Sequence, residues 1–183
     1  MNTALILIDI QKDYFPGGAM ELSGSEAAAA KAGRALGWFR EKGWPVIHIQ
    51  HLSVRQGAGF FIPETPGVEF HPFVAPGDGE TVIQKHFPNS FRGTGLQDKL
   101  DEADVKRLVI AGMMSHMCVD ATTRAAFDLG FQCVLLADAC ATRELEFGHV
   151  TVSAAHVHAA FMAALGAVYA EVTGVKDMAA SLV

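Results

Sequence analysis

The stretch RLVIAGMMSHMCVDATTRAAFDLGFQCVLLAD, residues 107–138, decides the fold. It opens as an apolar run with β-branched residues, passes through a short kinked segment to Cys118, continues at once as a helical stretch, and closes on a second apolar run, QCVLLAD. Two such runs joined by a helix form a βαβ unit, whose parallel strands are covered on both faces and are therefore apolar throughout.

The same signal recurs in both directions along the chain. ALILID (4–9), PVIHIQ (45–50), TVIQK (81–85) and AVYAEV (167–172) are further short apolar runs, and most alternate with helical stretches. Between the first two, EAAAAKAGRALGWFREKG (26–43) has the Ala, Leu, Lys and Arg content of a helix closed by Gly43. The expected fold is α/β, a three-layer α/β/α sandwich around a six-stranded, mainly parallel sheet, with residues 1–183 forming a single domain. VTVSAAHVHAAFMAALGAVYAEV (150–172) reads as an apolar helix able to bury against a neighbour as easily as against its own sheet. His156 and His158 on it are two residues apart, do not share a face, and read as ordinary helix residues.

The exception to the alternation is LSVRQGAGFFIPETPGVEFHPFVAPGDGE (52–80), rich in Gly and Pro. A loop of this length inside a compact domain is functional or disordered, and Phe60, Phe61, Phe70 and Phe73 favour a pocket wall or an oligomer contact. The formal net charge of −6 offers no basic face to nucleic acid or an anionic membrane, so a small neutral or cationic partner is expected. The first apolar run ends at Asp9, too short to span a bilayer and without a basic flank, which points to the cytoplasm. Three cysteines, Cys118, Cys133 and Cys140, lack metal-ligand spacing and read as reduced thiols.

Asp9 closes the first strand, Lys85 closes the third, and Cys118 follows the fourth. In an open parallel sheet of order 3-2-1-4-5-6 these carboxyl ends share one rim, and ligands bind in the crevice between strands one and four. The residue types suit nucleophilic chemistry: a cysteine needs a base, which Asp9 supplies, and two neighbouring anions need a cation, which Lys85 supplies. A position at the mouth of a helix would favour the thiolate of Cys118.

The segments LIDIQKDYF (7–15), VIQKHFPNSFRGTGL (82–96) and LVIAGMMSHMCVDATTRAAFDLGF (108–131), in this order across nearly the whole chain, resemble the isochorismatase-like cysteine hydrolases, a family that includes nicotinamidase and N-carbamoylsarcosine amidase. The resemblance implies a catalytic triad of Asp9, Lys85 and Cys118. It also implies a cis peptide joining Met113 to Met114, an oxyanion hole formed by the backbone N–H groups of Met114 and Cys118, and a thioester intermediate on Cys118. Tyr14 matches an aromatic lining the family's pocket, and Phe15, His51, Phe60, Phe87 and His116 are expected to join it. Nicotinamidases of this family hold a metal through an Asp-x-His pair after the second strand; HIQHLS (48–53) has Gln50 near the carboxylate position, although His48, His51 and His71 remain. No metal and no cofactor are therefore expected. The implied activity is cleavage of a C–N bond in a small amide or ureide, by a homodimer or homotetramer. Isochorismatases hydrolyse a vinyl ether without needing the thiol, which this chain retains. Vinyl ether hydrolysis and a non-catalytic thiol sensor or binding role are the alternatives.

Overall fold

In a computed structural model, which describes residues 2–182, six parallel strands form one sheet. They are β1 (Thr3–Ile8), β2 (Val46–His51), β3 (Thr81–Lys85), β4 (Arg107–Met113), β5 (Gln132–Ala141) and β8 (Glu171–Thr173), in the spatial order β3-β2-β1-β4-β5-β8. This is the expected 3-2-1-4-5-6 arrangement. The sixth strand is eighth along the chain because an antiparallel hairpin of β6 (Leu145–Phe147) and β7 (Val150–Val152) precedes it.

The central strand shows why the sheet is covered on both sides. All six residues of β1 are buried; Leu5 and Leu7 enter one core, while Ala4, Ile6 and Ile8 enter the other. The first core lies under α1 (Ser25–Lys42), whose Ala28, Ala29, Ala32 and Ala35 form a small-residue face beside Leu36 and Phe39. Gly43 ends α1 in the left-handed conformation (φ 63°), its N–H returning to the last turn. The second core holds Leu96 and Leu100 of α2 (Leu96–Glu102), Ala126 of α3 (Asp120–Asp128), and Met162 and Leu165 of α4 (Ala154–Val168).

Three details depart from the sequence reading. The last helix begins at Ala154 because Val150–Val152 pair as β7, and Ser153 caps it by accepting a hydrogen bond from the His156 N–H. Ala167 and Val168 still belong to α4, so the last strand is only Glu171–Thr173. Cys140 lies within β5, past an irregularity where the β4–β5 register jumps from Ile110↔Leu135 to Gly112↔Cys140.

Candidate active site

The carboxyl ends of β1, β3 and β4 converge, and the termini of these strands carry the site. Asp9 follows β1 with φ 52°, a left-handed turn that takes its side chain out of the strand alternation. Lys85 is the last residue of β3. Its ammonium lies 2.9 Å from Asp9 Oδ2, both side chains are fully buried, and it donates to the Pro88 carbonyl at 2.9 Å. Burial alone would draw the proton from Lys85, but the negative charge of Asp9 counters it and the ammonium is held above its ordinary value. The Asp9 carboxylate accepts no further hydrogen bond from the described residues, while its backbone N–H donates to the Ile49 carbonyl.

Cys118 is reached by an unusual route. Met113, the last residue of β4, is joined to Met114 by a cis peptide bond. A π-helical turn, Ser115–Val119, then precedes α3. Cys118 therefore lies inside this turn instead of at the mouth of an ordinary α-helix. Burial, followed by the charge of Asp9, pushes its thiol well above the usual range, and Lys85 only partly opposes this. The resting group is the thiol, so a base must take its proton before attack.

His51, the last residue of β2, completes the cluster. Its Nδ1 is 3.7 Å from Asp9 Oδ2 and 3.9 Å from Cys118 Sγ. One carboxylate oxygen, one ring nitrogen and the sulfur lie within 4.8 Å of one another. The Lys85 ammonium rests against that same carboxylate oxygen. Among the described residues the other histidines form no such cluster. His48 Nε2 is 2.8 Å from Glu80, His71 stacks on Phe15, and the Gln50 amide is engaged by Val68 O and Gln84.

Of the residues expected around the pocket, Tyr14 and Phe60 join His51 through Phe61. Phe61 lies 4.6 Å from Tyr14, 5.0 Å from Phe60 and 5.7 Å from His51 between ring centroids. Burial, aided by the charge of Asp9, holds the Tyr14 hydroxyl well above its usual range, so it remains a neutral donor. Phe15 is buried against His71, and Phe87 is half exposed under the Arg92 guanidinium. His116 pairs with the Thr142 hydroxyl and meets the Phe161 ring edge-on.

The sequence reading missed the scaffold behind these groups. Gln11 and Asp13 are buried; Gln11 holds both the N–H (2.7 Å) and the C=O (3.0 Å) of His51, and Asp13 accepts from the Phe61 N–H at 2.6 Å. Their signal was the spacing in DIQKD, where polar residues 9, 11 and 13 alternate directly after an apolar strand. Ser115, fully buried in the nucleophile turn, bonds the Ala141 carbonyl and His158 Nδ1 at 2.9 Å. His158 is thus tied to the site and is no ordinary surface residue of α4; only tertiary packing could reveal this.

The doubly wound sheet thus carries an acid, an ammonium and a thiol together on its carboxyl rim. Residues 3–176 match the family model described as "Isochorismatase domain". The isochorismatase family protein YddQ of Bacillus subtilis is 54% identical over 172 residues, covering 94% of this chain and 96% of that one. The crystal structure of an isochorismatase-family protein from Oleispira antarctica is 50% identical with a TM-score of 0.94, covering 98% of this chain and 96% of that one. A streptothricin hydrolase of Streptomyces noursei is 37% identical over 148 residues, 78% of this chain and 50% of that protein. The chain belongs to the isochorismatase family and is a hydrolase.

Proposed function

We propose that this hydrolase cleaves the C–N bond of a small amide or ureide through a thioester on Cys118. The observation that carries the reading is the fully buried Asp9–Lys85 pair at 2.9 Å, within whose reach the Cys118 sulfur lies. A buried carboxylate with free lone pairs beside a protonated thiol has a proton to accept, and the ammonium keeps the resulting negative charge tolerable. The relative named as a streptothricin hydrolase agrees with hydrolysis of a small molecule.

In this mechanism Asp9 takes the Cys118 proton as sulfur attacks the carbonyl carbon. The N–H groups of Met114 and Cys118 hold the oxyanion. The C–N bond breaks, the leaving amine takes the proton from Asp9, and the acyl group stays on sulfur. Asp9 then takes a proton from water, whose oxygen attacks the thioester; the C–S bond breaks and the sulfur is reprotonated. Tyr14 and Phe60 wall the pocket with Phe61, and Phe15, Phe87 and His116 complete its outer margin.

We read residues 1–183 as one hydrolase domain acting in the cytoplasm as a homodimer or homotetramer. Among the described residues no helix is long and apolar enough to cross a membrane. In a panel of small amides and ureides, Cys118→Ala and Asp9→Asn should lose at least about 10³-fold in kcat while keeping the far-UV circular dichroism of the wild type. Mass spectrometry should find an acyl adduct on Cys118 of the wild type, and chelator should leave turnover intact. Full activity in Cys118→Ala would overturn the nucleophile.

A further inference from the structure

His51 is held more firmly than a pocket wall requires. The buried Gln11 amide grips its backbone on both sides, donating to the carbonyl and accepting from the N–H. The ring leans on Phe61, whose own N–H is fixed by Asp13. This places Nδ1 between two groups that exchange protons, 3.9 Å from Cys118 Sγ and 3.7 Å from Asp9 Oδ2. Nδ1 has no other partner among the described residues, and the side chain keeps 14% of its surface exposed, a path for protons to solvent.

We propose that His51 is a fourth catalytic residue, a second acceptor for the Cys118 proton. The inference rests on the thiol hydrolase reading and adds a proton site to it. In the step assigned to His51, the S–H bond breaks and an Nδ1–H bond forms, giving a thiolate beside an imidazolium that the Asp9 carboxylate stabilises. The leaving amine takes this proton from Nδ1 as the C–N bond breaks, so Asp9 stays paired with Lys85 and free to receive a proton from the attacking water. The titratable groups facing the ring are Asp9 after β1 and Cys118 in the turn after β4; Lys85 at the end of β3 adjoins them through Asp9, and Tyr14 in the first loop is joined to the ring through Phe61.

The experiment follows alkylation of Cys118 by iodoacetamide across pH 5–10 by peptide mass spectrometry, which needs no turnover. In the wild type the rate should rise in two steps, the first well below the alkaline step of the thiol itself, where the imidazole is free to accept the proton. His51→Gln, which cannot accept a proton, should lose the first step and react about tenfold more slowly at pH 7. A single wild-type step at alkaline pH would overturn the proposal, whatever the variant does. So would a His51→Gln rate within twofold of the wild type at pH 7. Two steps in a protein that hydrolyses no amide would support His51 as proton acceptor while refuting the amidase reading.

Discussion

At the residue scale the decisive pair is Asp9 with Lys85, two opposite charges with no solvent exposure. A buried ion pair contributes little net stability, but removing one partner strands the other without water or counter-charge. Lys85→Met should therefore cost about 3–5 kcal/mol in urea unfolding, and adding Asp9→Asn should restore much of it. A second charged residue sets acid sensitivity. Glu80 is held at about 2 against an ordinary 4.5 by hydrogen bonds from Arg40, opposed by burial and aided by the Gly77 N–H and His48. Because the folded value is depressed, the stabilisation is fully present above pH 4.5 and is lost as pH falls towards about 2. Glu80→Gln should lower stability at pH 7 by about 2 kcal/mol, discounted for the partly exposed Arg40, and flatten the acid limb of thermal unfolding over that window.

At the element scale, the join between β4 and the nucleophile turn has the least freedom. Gly112 pairs with Ile8 at φ 137°, and a Cβ there would come 2.1 Å from the Ile8 carbonyl oxygen, a backbone atom with nowhere to go. Gly112→Ala should destabilise the protein by more than about 4 kcal/mol or leave it insoluble, with the melting temperature as the readout. The two carboxyl ends that present Asp9 and the cysteine turn can approach only because this position lacks a side chain. On the other side of the turn, Ser115 links it to β5 through Ala141 and to α4 through His158, so the nucleophile turn is anchored to two further elements.

At the scale of the whole molecule, α4 is the least finished surface. It contains no Asp, Glu, Lys or Arg, yet of its fifteen residues only Val157, Met162 and Leu165 are buried. Phe147 on the neighbouring hairpin is 90% exposed. A face without charge meets its own copy without like-charge repulsion, in keeping with the proposed homo-oligomer. Sedimentation velocity should show an oligomer that Val168→Asp or Phe147→Asp shifts towards monomer without unfolding it; a monomeric wild type would remove oligomerisation from the description.

What the sequence determined by itself was local and periodic. Apolar runs at strand length alternating with helical stretches gave the parallel α/β layers, the resemblance to a known family implied the sheet order, and the residues closing or following those runs pointed to Asp9, Lys85 and Cys118, because a strand's end is marked where apolar residues stop. Helix limits near residues 150–172 were not legible, since an apolar run such as VTV fits a strand or a helix until a partner strand selects one. Only the tertiary structure showed that His51 lies beside Asp9 and Cys118, that Gln11 and Asp13 fix the pocket's walls, and that His158 grips Ser115. The contacts of Gln11 with His51, Asp13 with Phe61 and His158 with Ser115 join residues 40 to 48 positions apart in the chain, through hydrogen bonds whose partners no local pattern specifies. It also decided the charge state of Cys118: burial, which is a property of the packed whole, overrides the preference for thiolate read from the start of a helix.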